Sequence, residues 1–205
     1  MNNTKEKILA AALKLFNEFG YSNVTIRMIA SDLGISSGNL NYHFSNRIEI
    51  LEALYFQMEL VIDTRMDEAI TRPYDIKTLY EGMLASMAIM YKYRFIWADL
   101  YFLQKESKRI KDSLKTSIKK EMETWQIIIG KLVTDQFLVD DILSEPNRLF
   151  VNRIVDFANN WIFTTALHDY QLDAKELVEQ QARYLLHGFY PYMTPKGVNQ
   201  FNALV

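Results

Sequence analysis

The sequence predicts an all-α fold of about nine helices, a small N-terminal three-helix unit followed by a larger helical domain. Three observations carry this reading. Apolar residues recur at i, i+3, i+4 and i+7 between turn signals along almost the whole chain. Capping residues and glycines stand where those stripes begin and end. The composition, 49% hydrophobic and 13% aromatic over 205 residues, suits a folded chain with a large core and argues against disorder.

The elements follow in order. Asn3 and Glu6 open a first helix whose stripe is Ile8, Leu9, Ala12, Leu15, Phe16 and Phe19, closed by Gly20. Thr25 stands as N-cap to a short second helix with Ile26, Ile29, Ala30 and Leu33 on one side. Gly34 follows and ends it by taking the left-handed conformation. Ser36 caps a third helix in which Leu40 and Phe44 point inward, leaving Ser37, Asn39, Asn41 and Tyr42 on the outer side. Asn46 with Glu49 starts a long fourth helix in capping-box style, reaching Ile70 with an apolar band of Ile50, Leu51, Leu54, Met58, Val61 and Ile62. A turn at Thr71-Arg72-Pro73-Tyr74-Asp75 stops it. Further helices are expected from Ile76 to about Lys92, Arg94 to Lys105, Lys111 to Phe137, Pro146 to Tyr170 and Asp173 to Tyr190, where Pro191 intervenes.

Two short helices joined by a tight turn and backed by a first helix have the form of a helix-turn-helix, and short polar side chains on the outer helix fit a major groove. A generic hairpin in an all-α protein has the same spacing. The residues themselves go further. The run TIRMIASDLGISSGNLNYHFSNRIEIL closely resembles the DNA-binding domain of the TetR family of bacterial transcriptional regulators, over roughly residues 4–52. The remainder is similar to that family only in length and helical pattern.

The resemblance implies a DNA-binding domain over residues 1–46 and a helical ligand-binding and dimerisation domain over 47–205. It implies phosphate contacts from Thr25, Tyr42, His43 and Arg47, and base-edge contacts from Ser37, Asn39 and Asn41. Chemistry agrees, since hydroxyls and helix N-termini suit phosphates and an Asn amide pairs with adenine N6 and N7. Arg27 has either backbone or base within reach, Ser36 serves as a cap, and Gly38 permits close approach. Asn41 departs from the family, which usually carries tyrosine there, so the contact of that hydroxyl is replaced by base reading or by none.

Charge is a counterweight. The chain carries a net −2, and residues 1–50 hold five basic residues (Lys5, Lys7, Lys14, Arg27, Arg47) against four acidic ones (Glu6, Glu18, Asp32, Glu49), a net of +1. Affinity for DNA leans on phosphate neutralisation, so non-specific binding is expected to be weak and a specific site to need a dimer. The polar N-terminus and the lack of a long apolar run predict neither signal peptide nor spanning helix, and a cytoplasmic location. Cysteine is absent, which excludes disulfides and thiol catalysis.

On the penultimate helix Phe150, Ile154 and Trp161 belong to a broad apolar arc, and the last helix adds Ala182, Leu185 and Phe189. In the resembled family the final two helices form a four-helix dimer interface, so these six are the expected homodimer contacts; deep core is the other reading. For a small apolar or aromatic ligand, the aromatic segment Tyr91–Leu103 is the candidate wall, with Met87, Met90, Tyr91, Phe95, Phe102 and Trp125, plus Asp99 and Asn160 as polar groups. Plain core is the alternative for each apolar member, and a solvated helix face for Asp99. No catalytic, metal or cofactor motif is found, and His43, His168 and His187 lie far apart.

The function implied is a dimeric repressor that binds an inverted-repeat operator in double-stranded DNA and is released by a small molecule. The alternative is a protein of the same type acting through a protein partner, with DNA reading lost or secondary.

Overall fold

The second, third and fourth helices each begin on a side chain that accepts a backbone N–H. In this computed structural model, which describes residues 3–144, 149–168 and 171–204, α1 spans Asn3–Phe19, α2 Ile26–Asp32, α3 Ser37–His43 and α4 Arg47–Thr71. Thr25 Oγ1 accepts from Met28 N at 3.3 Å, Ser36 Oγ from Asn39 N at 3.1 Å, and Asn46 Oδ1 from Glu49 N at 3.0 Å. The Glu49 carboxylate reaches back to the amide of Ser45 at 2.8 Å. These bonds satisfy donors that a helix start leaves open.

Between α2 and α3 the chain turns on Gly34, at φ +66°, with Ile35 N donating to Ala30 O at 3.0 Å and Gly34 N to Ser31 O at 3.1 Å. That pair is a Schellman ending, which needs the left-handed residue that glycine supplies without steric cost.

The remaining helices are α5 (Ile76–Lys92), α6 (Phe95–Ala98), α7 (Leu100–Glu106), α8 (Lys108–Thr134), α9 (Phe150–Ala166), α10 (Ala174–His187) and α11 (Pro195–Asn202). The fold is all-α, with eleven helices among the described residues rather than about nine. Two differences account for the number. The helix expected over Arg94–Lys105 breaks at Asp99, which caps α6 and precedes α7. A short helix, α11, lies beyond Pro191, where Thr194 accepts from Gly197 N and Pro195 takes the first position. The helix expected to reach Phe137 ends earlier, because Gln136 adopts φ +59° and Phe137 N bonds Leu132 O at 2.8 Å. The expected boundaries at Pro146 and Tyr170 lie outside the described residues. No β-strand occurs among the described residues; Leu138 and Met193 form one isolated bridge.

The chain forms two compact units. The first comprises residues 1–61 and 93–115, the second residues 62–92 and 116–205. In the first, Phe16 packs with Tyr21 and Phe95 at ring-centroid distances of 5.1 and 5.2 Å, and Ile8, Ala12, Val24, Ile29, Leu40 and Ile50 are fully buried. Polar ties run through it as well: Phe95 N donates to Asn17 Oδ1 and Tyr21 N to Asp99 Oδ2, both at 3.1 Å. In the second unit α10 packs along α5 and against α9, with Trp161, Ala182, Leu186 and Phe189 at its centre. There α11 seats closely enough that a Cβ on Gly197 would stand 2.3 Å from the Phe137 carbonyl oxygen, inside any tolerable contact.

Candidate nucleic-acid interface

Helix α3 has two unlike sides because its short sequence alternates their chemistry. Leu40 is fully buried and Phe44 almost so, and the latter lies under the ammonium of Lys5, 5.6 Å from its ring centroid. The other side carries Gly38, Asn39, Asn41 and Tyr42, all exposed, with Ser37 and His43 half-buried. Tyr42 is 85% exposed, and its ring meets His43 edge-on at 5.1 Å. An aromatic so open on a seven-residue helix is not part of the core. Thr25 and Ser36 are exposed with their hydroxyls occupied as caps, and Arg27 on α2 is exposed. Among the described residues the side chains of Arg27, Ser37, Asn39 and Asn41 have no hydrogen-bond partner, and all but the half-buried Ser37 are exposed. At Gly38 an added Cβ would meet nothing nearer than the Ser36 hydroxyl at 3.8 Å, so the chain's own packing does not require glycine there.

Arg47 is differently placed. Its Nη1 donates to the carbonyl oxygens of Tyr21, Ser22 and Val24 at 3.1, 3.2 and 2.9 Å. The guanidinium lies 4.1 Å from the Tyr21 ring centroid. Three carbonyls of the loop before α2 thus converge on one cation, which fixes that loop to the start of α4. Burial raises the Tyr21 phenol above its ordinary pKa against the lowering influence of Arg47.

The residues proposed from sequence to line a ligand space fall into different surroundings. Phe95 is buried against Phe16, Phe102 is 40% exposed beside Tyr21, and the Asp99 carboxylate accepts the Tyr21 amide; these three belong to the first unit. Met87 and Met90 are buried in the second unit, where Tyr91 stacks on Trp161 at 6.2 Å and Trp125 meets Phe189 at 6.0 Å. Asn160 is exposed and donates to Asp156 O in its own helix. Phe150, Ile154, Trp161, Ala182, Leu185 and Phe189, the expected dimer contacts, are each covered within the chain itself, none more than 7% exposed. Large apolar side chains left open around α9 and α10 include Phe163, Leu167 and Tyr184, at 52, 71 and 50% exposure, with Leu149 at 56% before α9 and Tyr190 at 44% after α10.

Residues 8–54 match the family model described as bacterial regulatory proteins, tetR family, and residues 57–201 match the TetR model described as bacterial transcriptional repressor. The chain belongs to the TetR family. It is a DNA-binding transcriptional regulator of that family, and the match extends well past the motif from which sequence alone suggested it. HbdR of Aromatoleum sp. (strain CIB) is 26% identical over 199 residues, covering 94% of this chain and 82% of that protein. A shorter match, to SrpR of Pseudomonas putida at 32% identity, spans 35% of each, so the chain covers about a third of that relative. A TetR-family regulator from Marinobacter aquaeolei VT8 superimposes with a TM-score of 0.86 at 25% identity, over 100% of this chain and 97% of the other. A regulator from Saccharomonospora viridis, solved in complex with choline, shares the fold at a TM-score of 0.64 and 21% identity, over 90% and 94% of the two chains.

Sequence reasoning did not find the partners of several residues that build this TetR-family chain. Asn17 and Asp99 reach their partners across 78 positions, and Glu121 meets Asn159 across 38. No local pattern announces such pairs. For Asp99 a signal was available: it is the one charge between Phe95 and Leu103, and an acceptor so placed looks for a donor when it is drawn from water.

Proposed function

We propose that this TetR-family regulator is a dimeric, cytoplasmic repressor that sets two copies of α3 into an inverted-repeat operator and leaves it when a small molecule binds the second unit. One observation carries the reading: α3 is capped and seated by its inner side while the side-chain polar groups of Ser37, Asn39 and Asn41 stay uncommitted among the described residues. Side chains with that geometry read base edges, and the nearby hydroxyls and helix starts hold phosphates. Gly38 supports close approach to a duplex, since nothing inside the chain calls for glycine there. Arg47 serves best as the clasp that sets the reading head, leaving phosphate contacts to Thr25, Tyr42 and His43.

Dimerisation follows from the reading geometry, because two recognition helices must meet half-sites about 34–36 Å apart. Phe163, Leu167 and Tyr184 are the contacts this proposal favours, being apolar and open. Release by a ligand requires that the ligand prefer the conformation that does not fit the operator. The choline-bound neighbour supports a small-molecule role for the second unit, as an instance of the same fold holding one.

The test is retention of genomic fragments on the purified, folded dimer near physiological salt, followed by sequencing. A short inverted repeat is the expected recovery. No enrichment above background would overturn the reading and favour action through a protein partner, which the +1 charge of residues 1–50 and Asn41 make the competing account.

A further inference from the structure

Within the second unit one carboxylate is withdrawn from water with no cation paired to it among the described residues. Glu121 on α8 is half-buried and accepts a hydrogen bond from Asn159 Nδ2 of α9 at 3.0 Å. Trp125, one turn further along α8, adds a second influence that favours the ionised form. Asn159 is fixed in turn, because the same amide nitrogen donates to Val155 O at 2.9 Å. Trp125 is held against the fully buried Phe189.

Asn159 orients the carboxylate as a neutral donor, yet no Lys or Arg among the described residues forms an ion pair with it. The lysines beside it in sequence are spent elsewhere, Lys119 on Glu123 at 3.7 Å and Lys120 on Asp63 and Asp67 at 3.2 and 2.9 Å. Burial is the largest influence on Glu121 and holds it above the usual carboxylate range, against the lowering influences of Asn159 and Trp125. A carboxylate withdrawn from water without a cation is unfavourable, so it takes a proton or a cationic partner. Glu121, Trp125 and Asn159 are all half-buried, which leaves an open side. An aromatic ring beside an oriented carboxylate suits a cation that carries apolar surface, since a ring face attracts such a charge and a desolvated pair is screened little by water.

We propose that Glu121, held by Asn159 and flanked by Trp125, is the recognition site for a small organic cation, an alkylated amine or quaternary ammonium rather than a metal ion. This rests on the reading of the second unit as the ligand-binding part of a regulator and gives that ligand its chemical class.

The experiment titrates the full-length dimer with benzyltrimethylammonium and choline, and with 3,3-dimethylbutan-1-ol as the uncharged isostere of choline, following heat and tryptophan fluorescence at neutral pH. The two cations are expected to bind and the alcohol to bind at least tenfold more weakly. Glu121→Gln, which keeps the shape and an acceptor for Asn159, is expected to lose at least tenfold in cation affinity while melting no lower than wild type. Asp63→Asn, whose carboxylate lies on the same unit but pairs with Lys120, is expected to bind both cations as wild type does. Equal cation binding by wild type and Glu121→Gln, or no binding of either cation at millimolar concentration, overturns the proposal. Operator retention measured on the same preparations separates the failures. If DNA is retained and no cation binds, only the ligand class is wrong. If cations bind through Glu121 and no operator is found, the repressor reading falls instead.

Discussion

Helix α3 and the pair α9/α10 were both expected to meet other molecules, and the two expectations concern opposite kinds of surface. On α3 the candidate residues are polar, and Asn39, Asn41 and Tyr42 stand exposed, their polar groups turned outward. On α9 and α10 the candidates were apolar, and Trp161, Ala182 and Phe189 are sealed inside their own unit, at 1, 0 and 0% exposure. The difference lies in what periodicity can report. A polar residue on the wet side of a short capped helix has one place to be. An apolar residue on a broad arc fits a core or an interface equally well, and only the neighbouring helices decide.

The contrast on α10 can be broken most sharply by neighbouring side chains. Leu185→Ala, in the core at 7% exposure, is expected to cost about 2–5 kcal/mol by the transfer and cavity terms. Tyr184→Ala, half-exposed beside it, is expected to stay within about 0.5 kcal/mol at protein concentrations too low for dimers. Urea unfolding of the two variants measures this, and equal losses would mean that the assignment of the two faces is mistaken.

Arg47 separates fold from recognition within the first unit. Its replacement by Ala removes the guanidinium from three loop carbonyls, of which that of Tyr21 keeps the Val24 amide, so a loss of about 2 kcal/mol in stability is expected even without DNA present. A residue serving only as a phosphate contact would leave the urea midpoint where it was. The proposed dimer surface comes next in size. Phe163→Arg, at an open apolar position, is expected to raise the dimer dissociation constant at least tenfold, about 1.4 kcal/mol, in analytical ultracentrifugation while the melting of the monomer stays unchanged.

The smallest effect concerns the cap of α5. Burial raises the Asp75 carboxyl, but hydrogen bonds from the Thr78 amide and hydroxyl and from Gln200, with Lys77 nearby, outweigh it and hold the group below its ordinary value. A depressed folded pKa means the contribution is complete above the unfolded value, about 3.9, and is lost as pH falls through the folded one. Asp75→Asn should therefore flatten the acid side of a stability profile without changing its slope near neutrality. An unchanged acid side would show that these bonds do not favour the ionised form.

Much of the chain is legible from its residues alone. Thr25, Gly34, Ser36 and Asn46 act as the caps and turn their types suggest, because capping is local and depends on residues within one turn. The break at Asp99 and the stop at Gln136 are not legible in that way. Gln rarely takes a left-handed conformation, and Asp99 sits in an unbroken apolar run. The division of the aromatic segment is equally hidden, since Phe95 joins Phe16 through a contact that spans most of a hundred residues. The clasp on Arg47 is hidden for another reason. A basic residue after a recognition helix suggests a phosphate, whereas its partners are backbone carbonyls that no side-chain pattern records.

The central claim is that α3 reads base edges through polar groups the fold leaves idle. It is tested most directly by titrating wild type and Asn39→Ala, in one salt, against the recovered repeat and a scrambled duplex. The account predicts a loss of about 1–3 kcal/mol per half-site on the repeat, roughly ten- to a hundredfold, with unchanged weak binding to the scrambled duplex and unchanged melting. Equal loss on both duplexes, or none on either, would contradict it.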